Sequence, residues 1–516
     1  MVRAALSRVS ALPLAGLAAW LLAGALPAAD APEPSSPGGQ ALAESVGGDA
    51  PPPATAEGEG EEQSQGDERR KAEAGREPPP PAPPQQRITE EGELIRAEDV
   101  EEPDLAELPL SNAARVRLDA ARDSVVLVRG FYGDAASSAF HGTGFAVGSE
   151  GFIVTNYHVV AEAVLHPRRF RLEYLTSDSR RGRLRVYAVD VRNDLAVVRP
   201  EEKLDLPPLR LRTDIPRPGA RAYSIGFPLN LGLTITEGVA NGVVSSGFEQ
   251  RIHYTGAINS GMSGGPALDA GGTVYGVNVS VVANRQLVGF VVPARHIEPL
   301  LRRALAPLDE GRSPTQLRAM IAQQALAFEP AVLDPWPPGQ AATAQATQTL
   351  FGYRLPTRPG PAFECTTTGS NEAREGLRTE TVSCQARAGV LLLLDLEVGH
   401  VSFQHRVVRS QGLHALQFAR RVNDLAAGIV RQGSSRHVAP FACRSALVSL
   451  DGFDARISTC ARQYRLFAGL YDIAVTVTSI NSTERAVVSQ LDLRGVSFEA
   501  GMQFVRRYLG AMQWIP

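Results

Sequence analysis

A chain of 516 residues whose 37 prolines are unevenly spread is too long for one ordinary core and implies several domains joined by linkers. A formal net charge of -3 supplies no overall basic field, which argues against nucleic acid as a partner. Neither a phosphate-binding loop nor zinc-type Cys/His spacing occurs, so no cofactor and no metal is expected.

At the N-terminus, Arg3 and Arg8 precede the apolar run 11–26, and "ALPAAD" offers small residues for cleavage near Ala28 or Ala29. Residues 1–29 therefore read as an export signal, which implies a periplasmic or extracellular protein. The same run approaches the ~18 apolar residues that cross a bilayer, so an uncleaved inner-membrane tether through residues 11–29 is the alternative; Pro13, Pro27 and the glycines weigh against it. Residues 30–110 are rich in Pro and acidic residues, with too few apolar side chains to bury a core. They are expected to be a solvated, disordered tether, with an acidic binding surface as the other reading.

Residues 111–310 begin with a helical lead, "SNAARVRLDAARD", and continue in short alternating segments separated by Gly, Asn and Pro, the pattern of an all-β barrel or sandwich. "FIVTNYHVV" reads as an apolar strand with His158 at its end, and "VDVRNDLAVV" places Asp194 just before another strand. "GAINSGMSGGPAL" then crowds glycines around Ser263, as a tight loop presenting one hydroxyl requires. Alone, each has a bland meaning: a core histidine, a turn aspartate, a surface loop. Together, in the order His, Asp, Ser, they form a candidate catalytic triad.

From about residue 125 to 300 the chain resembles a trypsin-like serine protease of the HtrA (Deg) family, matching at "GTGFAVGSEGFIVTNYHVV", "DVRNDLAVV", "SIGFPLNLGLTITEGVANGVVSS", "GAINSGMSGGPAL" and "VGFVVPARHIEPLL". The resemblance implies a double β-barrel with His158, Asp194 and Ser263 as the triad, polypeptide substrates, and work in envelope protein quality control or regulated processing. The main-chain amides of Gly261 and Ser263 would form the oxyanion hole. Ala257, six residues before the nucleophile, would lie at the base of the specificity pocket, and Val277, Asn278 and Val279 would form its wall and pair with the substrate as an added strand. Relatives often assemble as trimers, which leaves a homo-oligomer open. Two features depart from the family: Met262 stands where HtrA proteins usually carry Asn, and no PDZ pattern follows Ala304.

Residues 311–360 read as a helix, with Ser313 as N-cap and Pro314 at its first position, followed by a linker. Beyond it the chain repeats itself with a period on the order of 80 residues. "PAFEC" at Cys365 matches "APFAC" at Cys443, "TVSCQAR" at Cys384 matches "ISTCARQ" at Cys460, "LLDLEV" matches "LYDIAV", and "ALQFARRV" matches "GMQFVRRY". Two α+β units are expected, 361–436 and 437–516, each a few strands covered by one amphipathic helix. The overall fold class is thus an all-β trypsin-like double barrel followed by a smaller α+β tandem-repeat region. Four cysteines allow three complete pairings; equivalence of the repeats favours Cys365 with Cys384 and Cys443 with Cys460. Three functional readings stand: an exported serine endopeptidase with a C-terminal accessory domain, a protease-fold scaffold that has lost turnover, and a protein acting chiefly through binding by its C-terminal repeats.

Overall fold

The computed structural model describes residues 87–88, 94–95, 112–228, 231–246, 249–279, 289–306, 312–334, 347–357, 363–372, 376–386, 389–393, 396–427 and 435–515. The expected export segment and nearly all of the 30–110 tether lie outside these residues. Within the separate unit 26–109, β1 (Arg87–Ile88) and β2 (Leu94–Ile95) pair antiparallel. Among the described residues no helix is long and apolar enough to cross a membrane.

Helix α1 (Asn112–Arg122) leads into the first of two closed six-stranded barrels. This barrel comprises β3 (Val125–Tyr132), β4 (Phe140–Val147), β5 (Phe152–Thr155), β6 (Phe170–Thr176), β7 (Arg181–Asp190) and β8 (Leu195–Pro200), in the order β3-β4-β5-β8-β7-β6. The second comprises β9 (Ala220–Gly226), β10 (Thr234–Ser246), β11 (Glu249–Tyr254), β12 (Pro266–Asp269), β13 (Val274–Val279) and β14 (Gly289–Pro293), closing as β10-β11-β14-β13-β12-β9. One apolar cluster joins the barrels, with Phe145, Phe152 and Val197 of the first packed with Tyr223, Ile225 and Leu268 of the second.

The apolar run expected to be a single strand ending at His158 is instead a strand and a helix. β5 stops at Thr155, and α2 (Tyr157–Leu165) starts two residues later with Asn156 extended at its N-cap (φ -79°, ψ 151°). Tyr157, Val159, Val160, Ala161, Val164 and Leu165 of α2 are all buried. Covered on most sides, the helix lacks the polar stripe that reveals helical periodicity.

After the barrels come α3 (Ile297–Ala304), α4 (Pro314–Leu326), whose first turn is closed by a reciprocal capping box between Ser313 and Gln316, and α5 (Glu329–Leu333). β15 (Thr347–Leu350) and β16 (Tyr353–Pro356) follow. The C-terminal region is built on β17 (Phe363–Glu372), β18 (Leu377–Ala386), β19 (Val390–Leu393), β20 (Leu396–Val398), β21 (His400–Ser410), α6 (Ala415–Ala426), β22 (Ala442–Leu450), β23 (Phe453–Gln463), β24 (Tyr471–Ser479), β25 (Arg485–Val496), α7 (Phe498–Gly510) and β26 (Gln513–Trp514), the last pairing with β16.

Both halves of this region contribute to one seven-stranded sheet, β17-β18-β21-β25-β24-β23-β22, so the expected division between 361–436 and 437–516 falls inside a single sheet, at the β21/β25 pairing. The two helices are not equivalent covers. α7 packs with the odd-numbered Phe403, Val407, Val487 and Leu491, while α6 packs with the even-numbered Val408, Ala486 and Val488, which places the helices on opposite faces. Disulfides Cys365–Cys384 and Cys443–Cys460 join directly opposed residues of β17/β18 and β22/β23, one at each edge of the sheet. The match of "LLDLEV" with "LYDIAV" does not survive in three dimensions. The second lies in β24 within the sheet, whereas the first belongs to the β19–β20 hairpin, which leaves it because β18 pairs directly with β21.

Candidate active site

Three consecutive residues around the start of α2 aim their side chains at different partners. His158 Nδ1 lies 2.7 Å from Asp194 Oδ2, and the His158 main-chain N–H donates to Asp194 Oδ1 at 2.9 Å. A carboxylate only accepts, so Nδ1 carries the hydrogen and Nε2 keeps its lone pair for a proton. The second contact also satisfies one of the orphan amides of the helix N-terminus. Burial alone would depress the His158 pKa, but the charge of Asp194 and its hydrogen bond to the ring outweigh burial and raise it, while Arg251 opposes them.

Asp194 occupies the left-handed region at φ 57°, which is uncommon for a non-glycine residue. Asn156 stabilises it there. Its Nδ2 donates to the Asp194 carbonyl at 2.7 Å, and Asn156 makes no side-chain cap to its own helix. Next door, Asn193 donates from its main chain and its side chain to Asp190 at 3.1 Å each, and Arg303 pairs with Asp190 at 2.9 Å. Tyr157, between Asn156 and His158, donates its hydroxyl to the Leu392 carbonyl at 3.1 Å.

The loop carrying Ser263 is laced to the first barrel by Thr143 of "GTGF". The Thr143 N–H donates to the Ser263 carbonyl at 2.7 Å, its hydroxyl donates to the Gly261 carbonyl at 2.7 Å, and the same oxygen accepts from the Phe227 N–H at 3.1 Å. Gly261 (φ 95°) has no room for a side chain, since a Cβ there would stand 2.3 Å from the Phe227 carbonyl and 2.8 Å from His141 Nε2. A Cβ on Gly142 would lie 2.5 Å from Val159 and 3.1 Å from the Ser263 carbonyl, so the serine loop and the histidine helix meet across that glycine. Ser263 is 4% exposed, and Met262 is fully buried.

Ala257 is exposed, and its carbonyl accepts from the Thr236 hydroxyl at 2.9 Å. The expected pocket wall differs from expectation. Val277 and Asn278 are fully buried, β13 is paired with β12 on one side and β14 on the other, and the Asn278 main chain bonds to Gly264 and Gly265. These two residues support the serine loop and present no open strand edge; Val279 is the partly exposed member, and Ser280 lies outside the described residues. No group of three or more His, Cys, Asp or Glu that could hold a metal ion occurs among the described residues.

Sequence reasoning missed Asn156, Tyr157 and Thr143. An Asn immediately before an apolar helical run is an N-cap signal and was there to be read; the role of Thr143 depends on tertiary contacts and left no local mark.

The trypsin-like peptidase domain model matches residues 142–277. The periplasmic serine endoprotease DegP of Salmonella typhimurium is 30% identical over 161 residues, 30% of this chain and 33% of its own length. The chloroplastic protease Do-like 1 of Arabidopsis thaliana is 34% identical over 166 residues, covering 30% and 36%. The serine protease HTRA1A of Danio rerio is 32% identical over 186 residues, covering 34% and 37%. A solved serine endoprotease from Yersinia pestis aligns with 39% of this chain and 68% of its own at 24% identity and a TM-score of 0.33. The chain thus spans about a third of the length of these curated relatives. Residues 142–277 match a trypsin-like peptidase domain, and this part of the chain is similar to serine proteases of the DegP and HtrA type.

Proposed function

We propose that the chain is an exported serine endopeptidase in which Ser263 is the nucleophile, His158 the general base and then acid, and Asp194 the group that orients the imidazole. The observation that carries this reading is the double contact of Asp194 with the ring and the main chain of His158. A serine hydroxyl is a weak nucleophile near neutral pH, so His158 Nε2 takes its proton as Oγ attacks a peptide carbonyl, and Asp194 stabilises the resulting imidazolium. The main-chain amides of Gly261 and Ser263 stabilise the oxyanion of the tetrahedral intermediate. His158 then protonates the leaving amine, and water resolves the acyl-enzyme by the same route in reverse.

Ala257 brings no carboxylate to the base of the specificity pocket, which favours small or medium aliphatic side chains before the cut. Residues 111–310 form the peptidase part, and the sheet built from 361–436 and 437–516 forms an accessory part. Export follows from the basic and apolar pattern of residues 1–29, and agrees with the periplasmic naming of the Salmonella relative. Casein hydrolysis by the full chain tests this reading: Ser263→Ala and His158→Ala should each lower the rate by several orders of magnitude, and undiminished turnover in Ser263→Ala would end it.

A further inference from the structure

The β19–β20 hairpin that leaves the C-terminal sheet packs on the helix carrying His158. Val390, Leu392, Leu393, Leu396 and Val398 share one apolar core with Tyr157, Val160 and Val164 of α2 and with Val126 and Val128 of the first barrel. Within this core the Tyr157 hydroxyl finds one polar partner, the Leu392 carbonyl at 3.1 Å. Tyr157 is 1% exposed. Burial, reinforced by the negative charges of Asp194 and Glu162, holds its hydroxyl far above the usual phenol range, so it stays protonated and donates to the Leu392 carbonyl.

The acceptor is special as well. β19 and β20 pair Leu391 with Glu397 and Leu393 with Leu396, which leaves Leu392 as the extra residue of a bulge. The hairpin is in turn fixed to the sheet. Arg494 Nη1 pairs with Glu397 Oε2 at 3.2 Å, the Gly399 N–H donates to the Arg494 carbonyl at 2.7 Å, and the Tyr464 hydroxyl lies 3.2 Å from the Glu397 carbonyl. A continuous set of contacts therefore runs from the sheet through the hairpin to the residue preceding His158.

We propose that Tyr157 is a positioning residue of the peptidase site, latched to the bulge at Leu392, and that the C-terminal sheet thereby holds the first turn of α2 in the geometry that keeps His158 against Asp194. The hydroxyl is the part of Tyr157 that matters here, because the ring fills the core with or without it. Misplacement of the imidazole by a fraction of an ångström weakens proton transfer without altering the substrate pocket. The C-terminal region on this account positions the histidine of the peptidase site.

This inference rests on the endopeptidase reading, and its test separates the two. The full chain and its Tyr157→Phe variant are compared in three ways: the rate of Ser263 labelling by a fluorophosphonate probe, kcat and KM on casein-derived peptides, and the pH midpoint of kcat/KM. The variant should label and turn over roughly tenfold more slowly with KM little changed. Its midpoint should move to lower pH, because Asp194 would stabilise the imidazolium less; a general loss of stability would leave that midpoint in place. Glu397→Gln, which loosens the hairpin without touching α2, should change rates and midpoint in the same direction, and it decides the matter if Tyr157→Phe does not fold. Wild-type labelling and an unmoved midpoint in the folded variants would overturn the latch while leaving the peptidase reading standing. A wild-type protein inert to the probe would remove both.

Discussion

The side-chain amide of Asn156 donates to the main-chain carbonyl of Asp194 at 2.7 Å, holding an aspartate that sits at φ 57°. Asn156 is fully buried, so without its amide the Asp194 carbonyl would lose that donor and the left-handed turn its support. Asn156→Ala should lower kcat/KM by about 10- to 100-fold while the circular dichroism spectrum stays that of the native protein. Unchanged kcat/KM would show that the Asp194 turn holds itself.

On the proposed mechanism, the raised pKa of His158 sets the pH dependence of activity. Catalysis needs the neutral ring, so kcat/KM should rise with pH through a midpoint above the ordinary histidine value of about 6.5. Stability runs the other way: the extra stabilisation from protonated His158 is fully present below the unfolded-state value and is lost as pH rises through the folded one. Because Arg251 opposes the imidazolium, Arg251→Met should move the activity midpoint further up. A downward movement would contradict the electrostatic account.

How far the fold was legible follows from particular residues. Strands β6 and β7 alternate buried and more exposed positions over much of their length, and such strands announce themselves, whereas β5 is buried throughout. α2 did not, because a helix covered by the barrel and the hairpin together is apolar almost all round. The order His, Asp, Ser was readable; the support given by Asn156 and Thr143 was not, since each partner is at least 38 residues away in sequence. Two repeat units were expected from the sequence; a single sheet shared by both halves was not. Similar segments, "LLDLEV" and "LYDIAV", went to a hairpin and to a sheet strand because the first has the α2 surface to bury against and the second has β23 and β25.

His405 should make the C-terminal sheet acid-sensitive. Its Nε2 donates to the Pro356 carbonyl at 2.6 Å and its Nδ1 accepts from Ser489 at 2.8 Å. Complete burial pushes its pKa down to about 4, against a smaller opposing effect of the Pro356 bond. The unfolded chain takes up a proton near pH 6.5 and the folded one does not, so stability should fall by about 3 kcal/mol in all as pH drops from that value towards 4. His405→Gln should flatten this part of the slope, as read from urea midpoints at pH 7 and pH 4.5; an identical slope in the variant would place the sensitivity elsewhere.

The two disulfides clamp the edges of the sheet, closing loops with sequence separations of 19 and 17. The chain-entropy model gives about 3 kcal/mol for each. Reduction should lower the C-terminal melting transition first, and on the latch account it should also slow turnover once the hairpin loosens. Peptidase activity that is indifferent to the melting of the C-terminal sheet would separate the two halves.

The most direct measurement is mass-spectrometric mapping of a fluorophosphonate adduct on the full chain at pH 8. The account predicts stoichiometric phosphonylation of Ser263, strongly slowed in His158→Ala and in Asp194→Ala, with loss of casein cleavage in proportion to the label. Label on another residue, or full casein cleavage by protein whose Ser263 is unlabelled, would contradict it.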